Sequence, residues 1–130
     1  MAVTLNKVHH IAIICSDYRR SLSFYRDVLG LELQAEIYRA ERHSYKADLA
    51  LHGNYLIELF SFPSPPERLS YPESTGLRHL AFEVSDMEVT MLDLQESGVE
   101  YEPIRVDKVT GKRFTFITDP DGLPIEFYER

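Results

Sequence analysis

Apolar and polar positions along this chain fall into an order of elements that occurs twice. Residues 8–15, VHHIAIIC, are apolar and largely β-branched apart from two histidines, and read as a strand. Ser16 or Asp17 can cap a following helix, in which Leu22, Phe24, Tyr25, Val28 and Leu29 keep helical spacing. Gly30 provides a left-handed stop. Strands are then predicted near 31–39, 46–52 and 54–61, with HGN as the turn between the last two. The stretch SFPSPPERLSYPESTG, 61–76, holds four prolines and reads as a connector. The order then restarts. A strand at 78–84 leads to Asp86 as a cap, a helix with Met87, Met91 and Leu94 on one face, and Gly98 as its stop. Strands follow near 99–106, 112–118 and 123–128, the last two joined by DPDG at 119–122. Each half is β-α-β-β-β.

The halves also match residue by residue. With His10 set on His79, Ile11-Ala12-Ile13 fall on Leu80-Ala81-Phe82 and Ser16-Asp17 on Ser85-Asp86. In the last strands YLIELF (55–60) lies over LPIEFY (123–128), which places Glu58 on Glu126. A repeat that keeps a His at the head of its first strand and a Glu within its last indicates a duplicated module. A lone strand His is most often an ordinary hydrogen-bonded residue. A Glu flanked by Leu56, Ile57, Leu59 and Phe60 is harder to dismiss, because a buried carboxylate needs a cationic partner or a metal. Two matched imidazoles and two matched carboxylates make a mixed nitrogen and oxygen donor set for a divalent first-row ion. The two carboxylates neutralise its charge.

His9 has Arg78 as its counterpart and is set aside as a non-ligand. His43 and His52 lie in a polar stretch and a turn. Cys15 faces away from His10 by strand alternation and reads as a packed thiol.

Composition narrows the class. The 130 residues suit one domain, 1–130, with module 1 at about 5–62, a connector at 63–76 and module 2 at about 77–130. Hydrophobic residues at 44% can fill a core. No apolar run reaches the roughly 20 residues of a membrane span, and the N-terminus lacks a signal-peptide core. The single cysteine fits a reducing compartment, so a cytoplasmic location is expected. A net charge of −7 argues against nucleic acid as a partner and leaves a small-molecule substrate.

The stretches HHIAII, SLSFYRDVLGLEL, IELF, RHLAFEV and DPDGLPIEFYE resemble the vicinal oxygen chelate superfamily of glyoxalase I, bleomycin-resistance proteins and extradiol dioxygenases. The resemblance runs over nearly the whole chain. The segments ELFSFP.PPER and KRFTF are similar to those of the small bacterial glyoxalase-like proteins of the YaeR type. The resemblance implies an α+β fold of two βαβββ modules forming a cup-shaped sheet around a metal site. It implies His10, Glu58, His79 and Glu126 as ligands of one divalent transition metal per site (Ni, Co, Zn, Mn or Fe), and a homodimer. A His/Glu/His/Glu set looks like glyoxalase I. That implies a lyase or isomerase working through a metal-bound enediolate on a small carbonyl or thiol-adduct substrate, with Glu126 as the base and Glu58 as its pseudo-symmetric partner. The same scaffold also serves dioxygenases, thiol transferases and ligand-sequestering resistance proteins.

Three positions depart from the glyoxalase pattern. Asp27 stands where Arg or Lys would grip a glutathione carboxylate, Thr75 where a second Arg is expected, and Phe62 where an Asn is expected. Arg26, Lys108, Lys112 and Arg113 are other cations that could face a substrate, although solvated surface is the commoner role for such residues.

Overall fold

The computed structural model describes all 130 residues, which group into two compact units, Met1–Pro65 and Pro66–Arg130. Unit 1 runs β1 (Ile11–Cys15), α1 (Tyr18–Ser23), a π-helical turn (Phe24–Val28), β2 (Glu32–Arg39), β3 (Ser44–Leu51) and β4 (Asn54–Ser61). Its sheet has the order β1-β4-β3-β2, with β1 parallel to β4 and the other pairs antiparallel. Unit 2 repeats the plan with β5 (Leu80–Val84), α2 (Met87–Ser97), β6 (Arg105–Val106), β7 (Arg113–Thr118) and β8 (Pro124–Glu129). The sheet order β5-β8-β7-β6 again pairs its first strand in parallel with its last. The α+β fold of two βαβββ modules expected from the sequence is present.

Local chemistry sets the boundaries. Asp17 and Asp86 cap α1 and α2 by accepting from the backbone N–H of Arg20 and Val89. Gly98 ends α2 in the left-handed region. The first helix departs from the sequence reading after Ser23, where it widens to π geometry. The adjacent Phe24 and Tyr25 are both buried, which the wider turn accommodates. The strand expected at 99–106 shrinks to Arg105–Val106. Pro103 has no N–H to give a ladder, and Glu102 fixes the segment instead. Its N–H donates to the Phe116 carbonyl, and its carbonyl accepts from Thr115 Oγ.

In each unit the helix covers one sheet face. Ile13, Cys15, Ala47, Leu49, Ile57 and Leu59 are buried under α1 and its π turn with Leu22, Phe24 and Tyr25. Ile117, Ile125 and Phe127 are buried on the α2 side of sheet 2, with Met87 and Leu94 of the helix. Alternation therefore sends Ala12, Lys46, Asp48, Glu58 and Phe60 to the opposite face of sheet 1. It sends Ala81, Phe114, Phe116, Glu126 and Tyr128 to the corresponding face of sheet 2. No helix is long and apolar enough to cross a membrane.

Candidate metal centre

His10 stands one residue before β1, and its side chain falls on the same face as Ala12. Ala12 pairs in parallel register with Glu58 of β4. The short alanine leaves room between histidine and carboxylate, and His10 Nε2 lies 3.5 Å from Glu58 Oε1. Unit 2 reproduces the arrangement. His79 precedes β5, Ala81 pairs with Glu126 of β8, and His79 Nε2 lies 3.4 Å from Glu126 Oε1. The four side chains are 15–36% exposed, so donors and solvent both have access.

These spacings suit donors that share an ion. Bonds of about 2.1 Å meeting at tetrahedral or octahedral angles hold neighbouring donors about 3.0–3.5 Å apart. Neither unit gathers three His, Cys, Asp or Glu side chains into a cluster of its own. Each unit holds one His–Glu pair.

The surroundings of the halves differ. Glu58 is not the isolated carboxylate that its apolar neighbours suggest, because Lys46, diagonal to it on β3, places Nζ 3.4 Å from its Oε2 and 3.4 Å from Asp48 Oδ1. Tyr55 joins this cluster through a β-bulge. Leu49 pairs with Ile57 but Ala50 with Tyr55, so Leu56 is an extra residue and Tyr55 turns onto the face of Asp48. Its hydroxyl donates to Asp48 at 3.0 Å, and its ring stacks on His10 at 5.2 Å. Burial, and then the hydrogen bond to Asp48, push the Tyr55 hydroxyl well above its ordinary range. His9, set aside as a non-ligand, meets His10 through Nδ1 to Nδ1 at 2.8 Å. That contact engages the His10 nitrogen turned away from Glu58, as supporting groups of metal-bound histidines do.

In unit 2 the places of Lys46 and Asp48 are taken by Phe114 and Phe116, which pair with Tyr128 and Glu126. Phe116 meets the His79 ring edge-on at 5.2 Å. Lys46 and Tyr55 escaped the sequence reading because a cross-strand diagonal and a bulge leave no spacing signal. The HH pair at 9–10 was the only visible trace of the His9 contact.

The remaining candidates lie elsewhere. His43 and His52 occupy turn positions with positive φ, 48° and 50°. Cys15 is buried, and its thiol donates to the Phe60 carbonyl. Asp27 is exposed on the π turn. Arg113 is committed to Glu88 and Glu129, which tie α2 to β8.

A model of the Glyoxalase/Bleomycin resistance protein/Dioxygenase superfamily matches residues 7–127. The chain is 60% identical over 126 residues to the uncharacterized protein YaeR of Escherichia coli, covering 97% of this chain and 98% of that one. It is 29% identical to the lactoylglutathione lyase of Haemophilus influenzae, over 95% and 92% of the two chains. The crystal structure of a glyoxalase family protein from Enterococcus faecalis superposes with a TM-score of 0.88 at 47% identity, covering 95% of this chain and 97% of that one. On a duplicated βαβββ fold with a His–Glu pair at the same register in each half, and a family match over most of its length, the chain belongs to the glyoxalase/bleomycin resistance/dioxygenase superfamily.

Proposed function

We propose that this protein is a metal-dependent, glyoxalase-like lyase or isomerase that moves a proton between adjacent carbons of a small carbonyl compound or thiol adduct. One divalent transition ion (Ni, Co, Zn, Mn or Fe) is held by His10, Glu58, His79 and Glu126. The observation that carries this reading is the His–Glu pair built twice at one register, 3.5 and 3.4 Å across. Similarity to a lactoylglutathione lyase supports the reaction class. The donor set fits a first-row ion, with two imidazoles and two charge-balancing carboxylates. The chemistry such an ion supplies is Lewis acidity toward two neighbouring substrate oxygens, which lowers the cost of removing the proton beside them.

The chain's own groups divide the rest of the work. Glu58 is a fixed anchor, because Lys46 holds its second oxygen. No lysine holds Glu126, which lies on the last strand, and it is the carboxylate that loosens to take the proton from one carbon and return it to the next. His9 and Tyr55 orient His10. Four ligands require one pair of each kind, from one chain or from two copies. We favour two copies, with the N-terminal module of one chain closing on the C-terminal module of the other in a two-fold homodimer with two sites.

The test is metal binding. Chelator-stripped protein reloaded with each ion should take up one per site, and Glu58→Ala and His79→Ala should each lose it. Wild-type binding in both variants overturns the site. Light scattering at micromolar concentration should give twice the 15.1 kDa chain mass, and a monomer overturns the dimer.

A further inference from the structure

Two residues along β4 from Glu58, on the same face, Phe60 supports a guanidinium. Arg39 closes β2 and pairs with Ser44, two residues before Lys46 on β3, so register puts Arg39, Lys46, Phe60 and Glu58 on one side of sheet 1. Arg39 Cζ lies 4.9 Å from the Phe60 ring centroid and 5.9 Å from that of Phe62. One amino group donates to Ser44 Oγ at 3.1 Å, while Nε is buried with no acceptor. No carboxylate pairs with this cation, although Arg19 has Glu36 and Lys46 has both Asp48 and Glu58. In a chain with 21 acidic residues and a net charge of −7, a partly shielded arginine without an acid is out of keeping with its surroundings. Cation–π contact with two rings holds in place a weakly hydrated group built for bidentate recognition of planar oxyanions.

Unit 2 carries a similar stack, with a different outcome. Arg105 of β6 lies 5.0 and 5.6 Å from the Phe114 and Phe116 centroids, on the face of His79 and Glu126. There Glu102 takes the guanidinium at 3.1 Å. The stack beside His10–Glu58 is the one left without an acid.

We propose that Arg39 is the anion grip of this site, and that the substrate is a small oxyanion with its carboxylate or phosphate four to five bonds from its two vicinal oxygens. The reach follows from the roughly 7 Å between alternate residues of a strand. The proposal rests on the metal-dependent reading for the vicinal oxygens, but not for the anion. It also accounts for Asp27, since charge recognition sits on the sheet face instead of the helical turn. Arg39 acts on substrate charge, a role that fits a compound shorter than glutathione.

Two measurements test it. In chelator-stripped protein, the Arg39 Nε–H resonance, assigned by its loss in Arg39→Lys, should shift saturably on titration with inorganic phosphate or with acetate. Whichever anion binds more tightly identifies the group, and the Arg105 resonance should stay still. Absence of a saturable shift with either anion overturns the proposal, whatever the metal does. In Mn(II)-loaded protein, calorimetry compares butyrohydroxamate with succinohydroxamate, which share a two-oxygen head and differ in a terminal carboxylate. The charged compound should bind about tenfold tighter, the factor a charge-assisted hydrogen bond gives. Arg39→Met should erase that preference and leave butyrohydroxamate affinity unchanged, and Arg39→Lys should keep part of it. A preference that survives in Arg39→Met overturns the grip. Failure of both hydroxamates to bind indicts the metal site instead, and the resonance titration still decides Arg39.

Discussion

Lys46→Met separates a metal ligand from an ordinary ion-paired carboxylate. Lys46 Nζ is 3.4 Å from an oxygen of Asp48 and 3.4 Å from an oxygen of Glu58. Opposite unit charges at that distance attract by about 5 kcal/mol at an effective dielectric of about 20, and by about 1 kcal/mol in water. The side chains are 26%, 23% and 17% exposed, so hydration pulls the net value toward the lower figure. Removing the cation also leaves Asp48 and Glu58, which are cross-strand partners, facing each other as like charges. The metal-free protein should therefore lose about 1–2 kcal/mol of stability, read by urea denaturation after chelation. If Glu58 is a ligand, the same substitution removes a positive competitor and Mn(II) should bind about 5–30-fold tighter by calorimetry, the equivalent of that energy. Manganese should then restore more stability in the variant than in wild type. A destabilised variant whose manganese affinity is unchanged or lower refutes the assignment of Glu58 as a ligand.

Four further substitutions extend the tests. Glu126→Gln keeps an oxygen donor and removes the base: metal affinity should stay within about tenfold of wild type, while single-turnover rates fall about 10²–10⁴-fold. Glu58→Gln should cost less turnover at equal metal content, and full activity in metal-replete Glu126→Gln leaves Glu126 a ligand only. Asp27→Arg should raise affinity for glutathione hemithioacetals in inhibition or binding assays, and no gain means the pocket serves a different ligand. The Arg113 guanidinium holds Glu88 down to about 2 and lowers Glu129 as well. A depressed carboxylate stabilises the fold above its ordinary value near 4.5 and loses that contribution as pH falls toward about 2. Arg113→Met should therefore flatten the loss of urea resistance across that interval, and an unchanged slope means the pairing does not contribute.

The fold was legible because duplication doubles every signal. Asp17 and Asp86, Gly30 and Gly98, and the matched strands IELF and IEFY each mark the same point of a module. The His–Glu pairs were legible for the same reason, since a side chain that recurs at one register separates itself from background. What remained hidden depends on contacts between strands. Nothing in YKADL announces that Lys46 reaches Glu58, because the contact arises from the β3–β4 register. The bulge at Leu56 breaks alternation, so period-two reasoning assigns Tyr55 to the wrong face. The π turn is equally silent. Phe24 and Tyr25 fit an ordinary helical stripe, and the wider turn appears only in the i to i+5 bond between Leu29 N–H and Phe24 O.

Preserved His–Glu pairs with diverged surroundings are what give a duplicated module two different carboxylates. A symmetric pair of glutamates with identical neighbours has no physical basis for one to stay and the other to move. Here Glu58 has Asp48 across the strand and Lys46 at its second oxygen, while Glu126 has Phe116 across the strand and Phe114 where a lysine stands in the other half. An ion pair costs free energy to break and holds Glu58 in one orientation. An aromatic wall offers Glu126 no competing charge. The unpartnered arginine and the lysine cluster both belong to unit 1, and the aromatic surface belongs to unit 2. On the proposed reading, one half supplies fixed charge for anchoring the ion and the substrate's anion. The other supplies a carboxylate whose freedom to move comes from the absence of a lysine to hold it.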